Sequence, residues 1–182
     1  MNKLIILSDL WGQNKPKWIL QYIAILEKFF QIRYYDCCVL GDICQNELSE
    51  ENLHRQFVNG GIDVAVRNLL LNESDALIIL GFSIGGTIAW KACLSGLKAQ
   101  YLFAVSSTRL RHETERPSMK IELLYGNNDY FKPDIHWFGQ MKIEQSYYDN
   151  EGHDCYFKKE IAVDICKRII EITAPQPPTT RV

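Results

Sequence analysis

The 182-residue sequence lacks the cysteine spacings that are typical of disulfide-bonded or metal-stabilised proteins. Its six cysteines include no C-x-x-C pair, and Cys37 and Cys38 are neighbours in a predicted strand, where adjacent side chains point to opposite faces. This spacing suits neither a disulfide framework nor a zinc site, so we expect free core thiols, a reducing compartment and no metal. A chain of this length buries roughly 70% of its unfolded surface and can fold without such a clamp.

Long apolar runs and an excess of one charge are also missing. After Lys3, only residues 4–7 are apolar before Ser8. A secretory signal needs about 7–15 apolar residues and a membrane span roughly 18. The formal net charge of −2 offers no basic surface to nucleic acid or to an anionic membrane. We therefore expect a cytoplasmic protein that binds neither nucleic acid nor a membrane.

The glycine-rich stretch LGFSIGG, residues 80–86, lacks both common nucleotide-binding signatures. It is not G-x-G-x-x-G, and no Gly-Lys-[Ser/Thr] follows it, which argues against an NTPase or a dinucleotide enzyme. We expect no cofactor. The stretch does fit G-x-S-x-G with Ser83 at its centre. That short pattern also describes a tight turn in which Ser83 only caps the following helix.

Strand-like and helix-like segments alternate along the chain. Apolar, strand-like runs lie at residues 3–7, 32–38, 76–80, 101–105, 121–125 and 143–148. Helical patterns lie between them at 18–30, after the start signals Asn14 and Pro16, at 57–71 with an interruption at Gly60-Gly61, and at 84–94 before Gly96. A last helix carries Ile161, Ile165, Ile169 and Ile172 on one face.

This alternation predicts an α/β fold. We expect a mainly parallel sheet of about six strands with helices on both faces, in three layers, as a single domain over residues 1–173. Residues 174–182 are rich in proline and predict an extended, loosely held tail.

A serine, an acid and a histidine follow three of the predicted strands. In such folds ligands bind outside the carboxyl ends of the strands, and Ser83, Asp129 and His153 follow the third, fifth and sixth. A serine hydroxyl needs a base, histidine ordinarily titrates near neutral pH, and a carboxylate fixes the imidazole tautomer. Three aspartates compete with Asp129 for the acid: Asp134, Asp149 and Asp154.

The main-chain amides near Ser83 are candidates for an oxyanion hole. A tetrahedral intermediate needs fixed N–H donors. The amide of Ile84, next after the serine and near a helix N-terminus, is one candidate. The loop after the first strand supplies the second, from Leu10 or from Trp11.

These stretches resemble the α/β-hydrolase family. LGFSIGG resembles its nucleophile elbow, LYGNND (124–129) its acid turn and EGH (151–153) its histidine loop, in the family's order Ser…Asp…His. The resemblance covers nearly the whole chain except the tail, and implies that Ser83 is the nucleophile, Asp129 the acid and His153 the base.

The chain also departs from that family. Ser8-Asp9 stands where members often have His-Gly, and the leading hairpin is missing. About 15 residues separate the fourth and fifth predicted strands, too few for the helical cap of many members, so we expect an open site.

Several residues near the strand ends could bind substrate. Asp9 either lines the pocket mouth or caps its own loop, and Trp11 and Trp137 either wall an apolar pocket or belong to the core. Arg109 and Arg111 either receive an anionic group, such as a carboxylate or a carrier phosphate, or belong to a solvated loop whose glutamates balance them.

The sequence thus predicts a cofactor-free serine hydrolase that cleaves a carboxylic ester or thioester of a small acyl substrate through an acyl-enzyme. The same residues would serve an acyltransferase. The fold alone would also suit a non-catalytic module that binds a small molecule or a partner.

Overall fold

The structure, a computed structural model, describes residues 2–14, 17–74 and 77–173. The strands are β1 (Lys3–Leu7), β2 (Gln31–Tyr35), β3 (Leu77–Phe82), β4 (Ala99–Val105), β5 (Lys120–Gly126) and β6 (Gln145–Tyr148). The helices are α1 (Lys17–Leu26), α2 (Cys37–Leu40), α3 (Glu50–Gln56), α4 (Ile62–Asn72), α5 (Ile84–Leu94), α6 (Ile135–Met141) and α7 (Lys159–Thr173). Across these ranges no helix combines the length and the apolar character needed to cross a bilayer. The predicted tail, Pro16 and Ala76 lie outside the described residues.

The sheet is parallel throughout and confirms the predicted α/β class. Its six strands follow the order β2-β1-β3-β4-β5-β6. The chain therefore adds β2 on one side of β1 and all later strands on the other. Because the connections leave β1 and β3 in opposite directions, a crevice opens at the carboxyl ends of these two strands.

Helices cover both faces of the sheet, as predicted. Side chains alternate along β1, so Ile5 and Leu7 pack into the core under α4, α5 and α6, whereas Leu4 and Ile6 pack under α1 and α7. All four of these side chains are fully buried. A sheet covered on both faces accounts for the nearly continuous apolar runs of its strands.

The second strand ends earlier than the sequence predicted. Asp36 caps α2 by accepting hydrogen bonds from the amides of Cys38 (2.8 Å) and Val39 (3.3 Å). Cys37 and Cys38 therefore lie in a helix and are both buried, so their placement on opposite faces of a strand was wrong. A carboxylate that satisfies helix N-terminal amides favours helix over continued strand pairing at this point.

All six cysteines are free thiols. Cys37, Cys38, Cys155 and Cys166 are buried, but Cys44 is exposed, so the expectation that all would be core thiols was wrong for that residue. Burial raises the pKa of Cys38 to about 12 and that of Cys155 to about 11. Because the thiolate is the reactive form, these two thiols are unreactive at neutral pH.

The helices differ from the predictions in the end of α1 and in the exposure of Ile172, and agree with them at the Gly60 interruption. α1 ends at Leu26, short of Phe30. The segment between α3 and α4 is kinked at Gly60, whose φ of 123° only glycine adopts readily, in agreement with the expected interruption. α7 buries Ile161, Ile165 and Ile169, but Ile172 is 37% exposed and does not share their buried face.

A buried carboxylate, Glu73, links strands β1 and β2 through its side-chain contacts. The side chain of Glu73 is fully buried and forms ion pairs with Lys3 of β1 and Arg33 of β2. The Tyr35 hydroxyl donates to its Oε1 over 2.6 Å. A buried charge is tolerated only when paired and hydrogen-bonded, so this acid depends on its three partners.

We expect Glu73→Gln to lower the free energy of unfolding by about 1–3 kcal/mol, because the amide keeps the shape but removes the charge that two cations surround. Glu144→Gln, at an exposed glutamate, is the matched control and should change it by less than about 0.5 kcal/mol. Urea unfolding measures both. Equal effects in the two variants would contradict a structural role for Glu73.

Candidate active site

Ser83 occupies a strained turn between β3 and α5. Its backbone angles are φ 48° and ψ −114°, which cost a non-glycine residue on the order of 1–3 kcal/mol. The Ser83 amide donates to the carbonyl oxygen of Val105, at the end of β4, over 2.8 Å. The neighbouring strand thus holds the turn in place and the serine is delivered to the edge of the sheet.

Gly81 and Gly85 are required by close backbone contacts around this turn. A Cβ on Gly81 would lie 2.6 Å from the Gly86 Cα. A Cβ on Gly85 would lie 2.3 Å from the carbonyl oxygen of Ser8 and 2.8 Å from that of Leu7. The first turn of α5 therefore packs directly on the end of β1, which brings the loop after β1 beside Ser83.

Ser83, His153 and Asp129 form a continuous hydrogen-bonded chain. The Ser83 Oγ lies 3.1 Å from His153 Nε2, and His153 Nδ1 lies 2.8 Å from Asp129 Oδ2. The carboxylate can only accept, so Nδ1 carries the proton and Nε2 is left to accept from the serine hydroxyl. Ser83 is 8% and Asp129 3% exposed, whereas the His153 side chain is 41% exposed.

Loop hydrogen bonds position the acid and the histidine. The Asp129 amide donates to the Gly126 carbonyl (3.1 Å), and the Asp129 Oδ1 accepts from the Phe131 amide (3.0 Å). The Asn128 amide donates to the carbonyl oxygen of Glu151 (2.8 Å), which ties the acid turn to the histidine loop. The two loops are therefore held in one orientation relative to each other.

The competing aspartates do not meet the histidine nitrogens. Asp134 caps α6 by accepting from the Trp137 amide over 2.9 Å. Asp149 is exposed, and Asp154, adjacent to His153, makes no ion pair with it. Of the four candidates, Asp129 is the one whose carboxylate lies within hydrogen-bond distance of the ring.

A cavity of about 790 Å³ opens above Ser83 and His153. Among the residues predicted to bind substrate or the oxyanion, it is lined by Asp9, Leu10, Trp11, Ile84, Arg109 and Arg111. Sequence reasoning missed other wall residues: His54, Thr108, Phe131, Tyr156 and Phe157. Thr108, Phe131, Tyr156 and Phe157 lie within four residues of predicted site residues, whereas His54 belongs to α3 and reaches the cavity through tertiary packing. In the described part of the chain no three His, Cys, Asp or Glu side chains cluster as a metal site.

Two of the residues that line the cavity with Ser83, Leu10 and Ile84, have main-chain amides available to a ligand. Neither makes a hydrogen bond to another described residue. The Trp11 amide, by contrast, donates to the Asp9 Oδ1 over 3.0 Å. Of the two alternatives for the second oxyanion donor, Trp11 is therefore the one whose amide is already engaged.

Asp9 holds the loop after β1. It is 1% exposed, and besides the Trp11 amide it accepts from the Tyr156 hydroxyl, whose oxygen lies 3.3 Å from Oδ2. Burial raises the pKa of Tyr156, so the phenol remains a donor at neutral pH. Asp9 thus both lines the cavity and caps its own loop, so the two alternatives left open by the sequence apply together.

Trp137 does not wall the cavity. It is 7% exposed, packs against Trp90 and Phe138 with ring centroids 5.9 and 5.3 Å away, and donates its indole N–H to the Glu113 carbonyl over 2.8 Å. The pocket interpretation of Trp137 was therefore wrong, and the tryptophan belongs to the core.

We expect Gly85→Ala to lower the free energy of unfolding by about 1–3 kcal/mol, because the added methyl group would overlap backbone at the end of β1. Gly139→Ala is the matched control: its added Cβ meets nothing within 4 Å in α6. It should raise stability by roughly 0.5–1 kcal/mol, since alanine favours helix. Urea unfolding compares them. A stabilising Gly85→Ala would contradict the close approach.

No protein-family model and no curated protein matches this sequence. Solved structures do match its backbone. A member of the α/β serine hydrolases without a lid from Xanthomonas campestris has 12% identity and a TM-score of 0.60, over 97% of this chain and 84% of that one. The mouse α/beta hydrolase domain-containing protein 10 has 12% identity and a TM-score of 0.66, over 93% and 88% of the two chains.

An α/beta hydrolase enzyme from the metagenome of lagoon sediments at Mar Chica, Morocco, has 15% identity and a TM-score of 0.62. The alignment covers 94% of this chain and 91% of that one. In the present chain residues 106–119 join β4 to β5 without an inserted helical domain. The chain therefore has the α/β-hydrolase fold in a small form that lacks a cap.

Proposed function

We propose that this protein is a serine hydrolase that cleaves a carboxylic ester or thioester of a small acyl substrate. The observation that carries the proposal is the hydrogen-bonded chain of Ser83, His153 and Asp129 at the floor of an open cavity. The same three residue types in this geometry recur on several unrelated folds in which serine is the acyl nucleophile.

The first half of the reaction forms an acyl-enzyme. His153 Nε2 accepts the hydroxyl proton while Ser83 Oγ attacks the acyl carbon, and Asp129 stabilises the resulting imidazolium through its bond to Nδ1. The amides of Ile84 and Leu10 donate to the developing oxyanion. His153 then gives its proton to the departing alcohol or thiol, and the tetrahedral intermediate collapses to an ester on Ser83.

The second half regenerates the enzyme by the same groups. His153 accepts a proton from water, the resulting hydroxide attacks the acyl carbon, and the carboxylic acid leaves as Ser83 takes back its proton. The exposed face of the His153 ring gives water access to this step.

A complete triad also argues against a purely binding role. Holding a small molecule requires no base beside Ser83, and the strain at Ser83 would be a cost without a benefit. Strained residues that persist in a fold often cluster at active sites.

We expect a fluorophosphonate probe to label Ser83 and Ser83→Ala to abolish the adduct, because the serine oxygen forms the bond to phosphorus. Hydrolysis of p-nitrophenyl esters and of acyl thioesters should fall by about 10⁴–10⁶ in kcat. Ser118→Ala, at an exposed serine outside the cavity wall, is the control for both assays. Peptide mapping by mass spectrometry locates the adduct.

An undiminished adduct in Ser83→Ala, or no adduct in the wild-type protein, would refute the hydrolase. An acyltransferase would use the same serine but give a different product. When an alcohol or amine is added, the acyl group would appear on that acceptor and not as free carboxylic acid.

We expect Asp129→Asn to lower kcat by roughly 10³–10⁴, because the amide can donate to Nδ1 and so favours the wrong imidazole tautomer. Asp149→Asn, at an exposed aspartate, should leave kcat within about 2-fold of the wild type. Ester hydrolysis at saturating substrate measures both. A larger loss of kcat from Asp149→Asn than from Asp129→Asn would show that Asp129 is not the acid.

A further inference from the structure

Two arginines line the cavity that contains Ser83. Arg109 and Arg111 both belong to the short 3-10 turn Thr108–His112, which follows β4. They differ in what they already contact, and the difference decides which of them is available to a ligand.

Arg111 is engaged by the protein. Its Nη1 donates to the carbonyl oxygens of Thr108 (2.9 Å) and Phe131 (3.3 Å), and its guanidinium lies over the Phe131 ring, 5.7 Å from the centroid. Arg111 thus ties the turn after β4 to the loop after β5 and fixes the wall of the cavity.

Arg109 has no such partner. It is partly buried, yet its guanidinium makes no hydrogen bond and no ion pair with any residue in the described ranges. Burial and then the charge of Arg111 lower the pKa of Arg109, and only Glu113 acts in the opposite direction. Arginine stays protonated under these conditions, so a poorly compensated positive charge lies in the cavity wall.

The carboxylates of the cavity do not neutralise this charge. Asp9 already accepts from the Trp11 amide and from Tyr156, and Glu50 and Glu51 are exposed in the first turn of α3, where the helix dipole favours them. Asp154, the fourth carboxylate of the cavity lining, is also exposed, and none of the four forms an ion pair with Arg109.

His54 lines the same cavity and is influenced by the charge of Arg109. Burial and then the charge of Arg109 lower the pKa of His54, so this ring is predominantly uncharged at neutral pH. A neutral imidazole can donate one N–H without adding charge. Arg109 and His54 therefore offer one full positive charge and one further donor in the same wall.

We propose that Arg109 binds a carboxylate carried by the acyl substrate, so that the enzyme prefers acyl groups ending in a carboxylate to neutral acyl groups of the same length. The inference rests on the proposed hydrolase activity. A monoanion fits better than a phosphate dianion, because the Arg111 guanidinium is already hydrogen-bonded to two carbonyl oxygens and the carboxylates of Glu50, Glu51 and Asp154 also line the cavity. The fork of a guanidinium pairs with a carboxylate through two parallel hydrogen bonds.

The test compares two p-nitrophenyl esters with six-carbon acyl chains, the neutral hexanoate and the singly charged adipate monoester. We expect the wild type to hydrolyse the adipate ester with the higher kcat/KM, and Arg109→Gln to lower the adipate-to-hexanoate ratio about 10- to 100-fold. The loss should be mainly in the KM for the adipate ester, since the carboxylate is bound equally in the ground and transition states.

Two variants separate charge recognition from general damage. Arg116→Gln, at an exposed arginine of the same loop outside the cavity wall, should keep the ratio within about 3-fold of the wild type. Arg111→Gln should change both kcat/KM values by a similar factor, because it loosens the wall without removing the free cation. Circular dichroism and fluorophosphonate labelling of Ser83 establish that each variant is folded and has an intact nucleophile.

The outcomes distinguish this inference from the proposed function. Hexanoate hydrolysis with a ratio that Arg109→Gln leaves unchanged would overturn the role of Arg109 and leave the hydrolase standing. No hydrolysis of either ester, with no labelling of Ser83, would overturn both. A third ester whose six-carbon chain ends in a phosphate tests the choice of anion: an Arg109-dependent preference for it over the adipate ester would overturn the assignment to a carboxylate.

Discussion

The contact between the first turn of α5 and the end of β1 is the constraint on which the site depends. Gly85 can approach the carbonyl oxygens of Ser8 and Leu7 only because it has no side chain. That approach holds the loop after β1 beside the Ser83 turn, and Leu10 and Ile84 line the same cavity. The strain at Ser83 is offset by its bond to Val105 and by the buried sheet on both sides.

The meeting of Ser83, Asp129 and His153 could be predicted because parallel strands end at one edge of the sheet. The pattern of apolar runs located the strands within a few residues, and the three side chains follow them. Their catalytic role remains a prediction that labelling has to test. Tyr156 follows His153 by three residues, so the same argument from strand ends could have indicated it, whereas His54 lies in α3 and reaches the cavity through tertiary packing.

The error at Cys37 and Cys38 has a physical cause that was present in the sequence. An aspartate directly before an apolar run can cap a helix as easily as it can end a strand, and Asp36 does the former. Periodicity over so few residues does not distinguish the two. The burial predicted for Ile172 was also wrong for a physical reason. Spacing along a helix predicts which residues share a face, but not where the surface that covers this face ends.

Asp9 and Tyr156 couple two loops that come from opposite ends of the chain. One carboxylate accepts from the Trp11 amide and from the Tyr156 hydroxyl, so the segment beside Ser83 and the segment after His153 share an anchor. Burying that carboxylate costs free energy, which its donors offset. A displacement of either loop would therefore alter a hydrogen bond of Asp9 and so shift the position of the other loop.

The exposure of His153 bears on the fate of an acyl group once it is attached. The side chain of His153 is 41% exposed, and residues 106–119 contain no inserted helical domain that would cover it. On the proposed mechanism, water and any alcohol or amine of modest size would reach the acyl carbon by the same unobstructed route. Partitioning between hydrolysis and transfer would then follow the concentration and nucleophilicity of the acceptor, and the architecture of the site would not decide it.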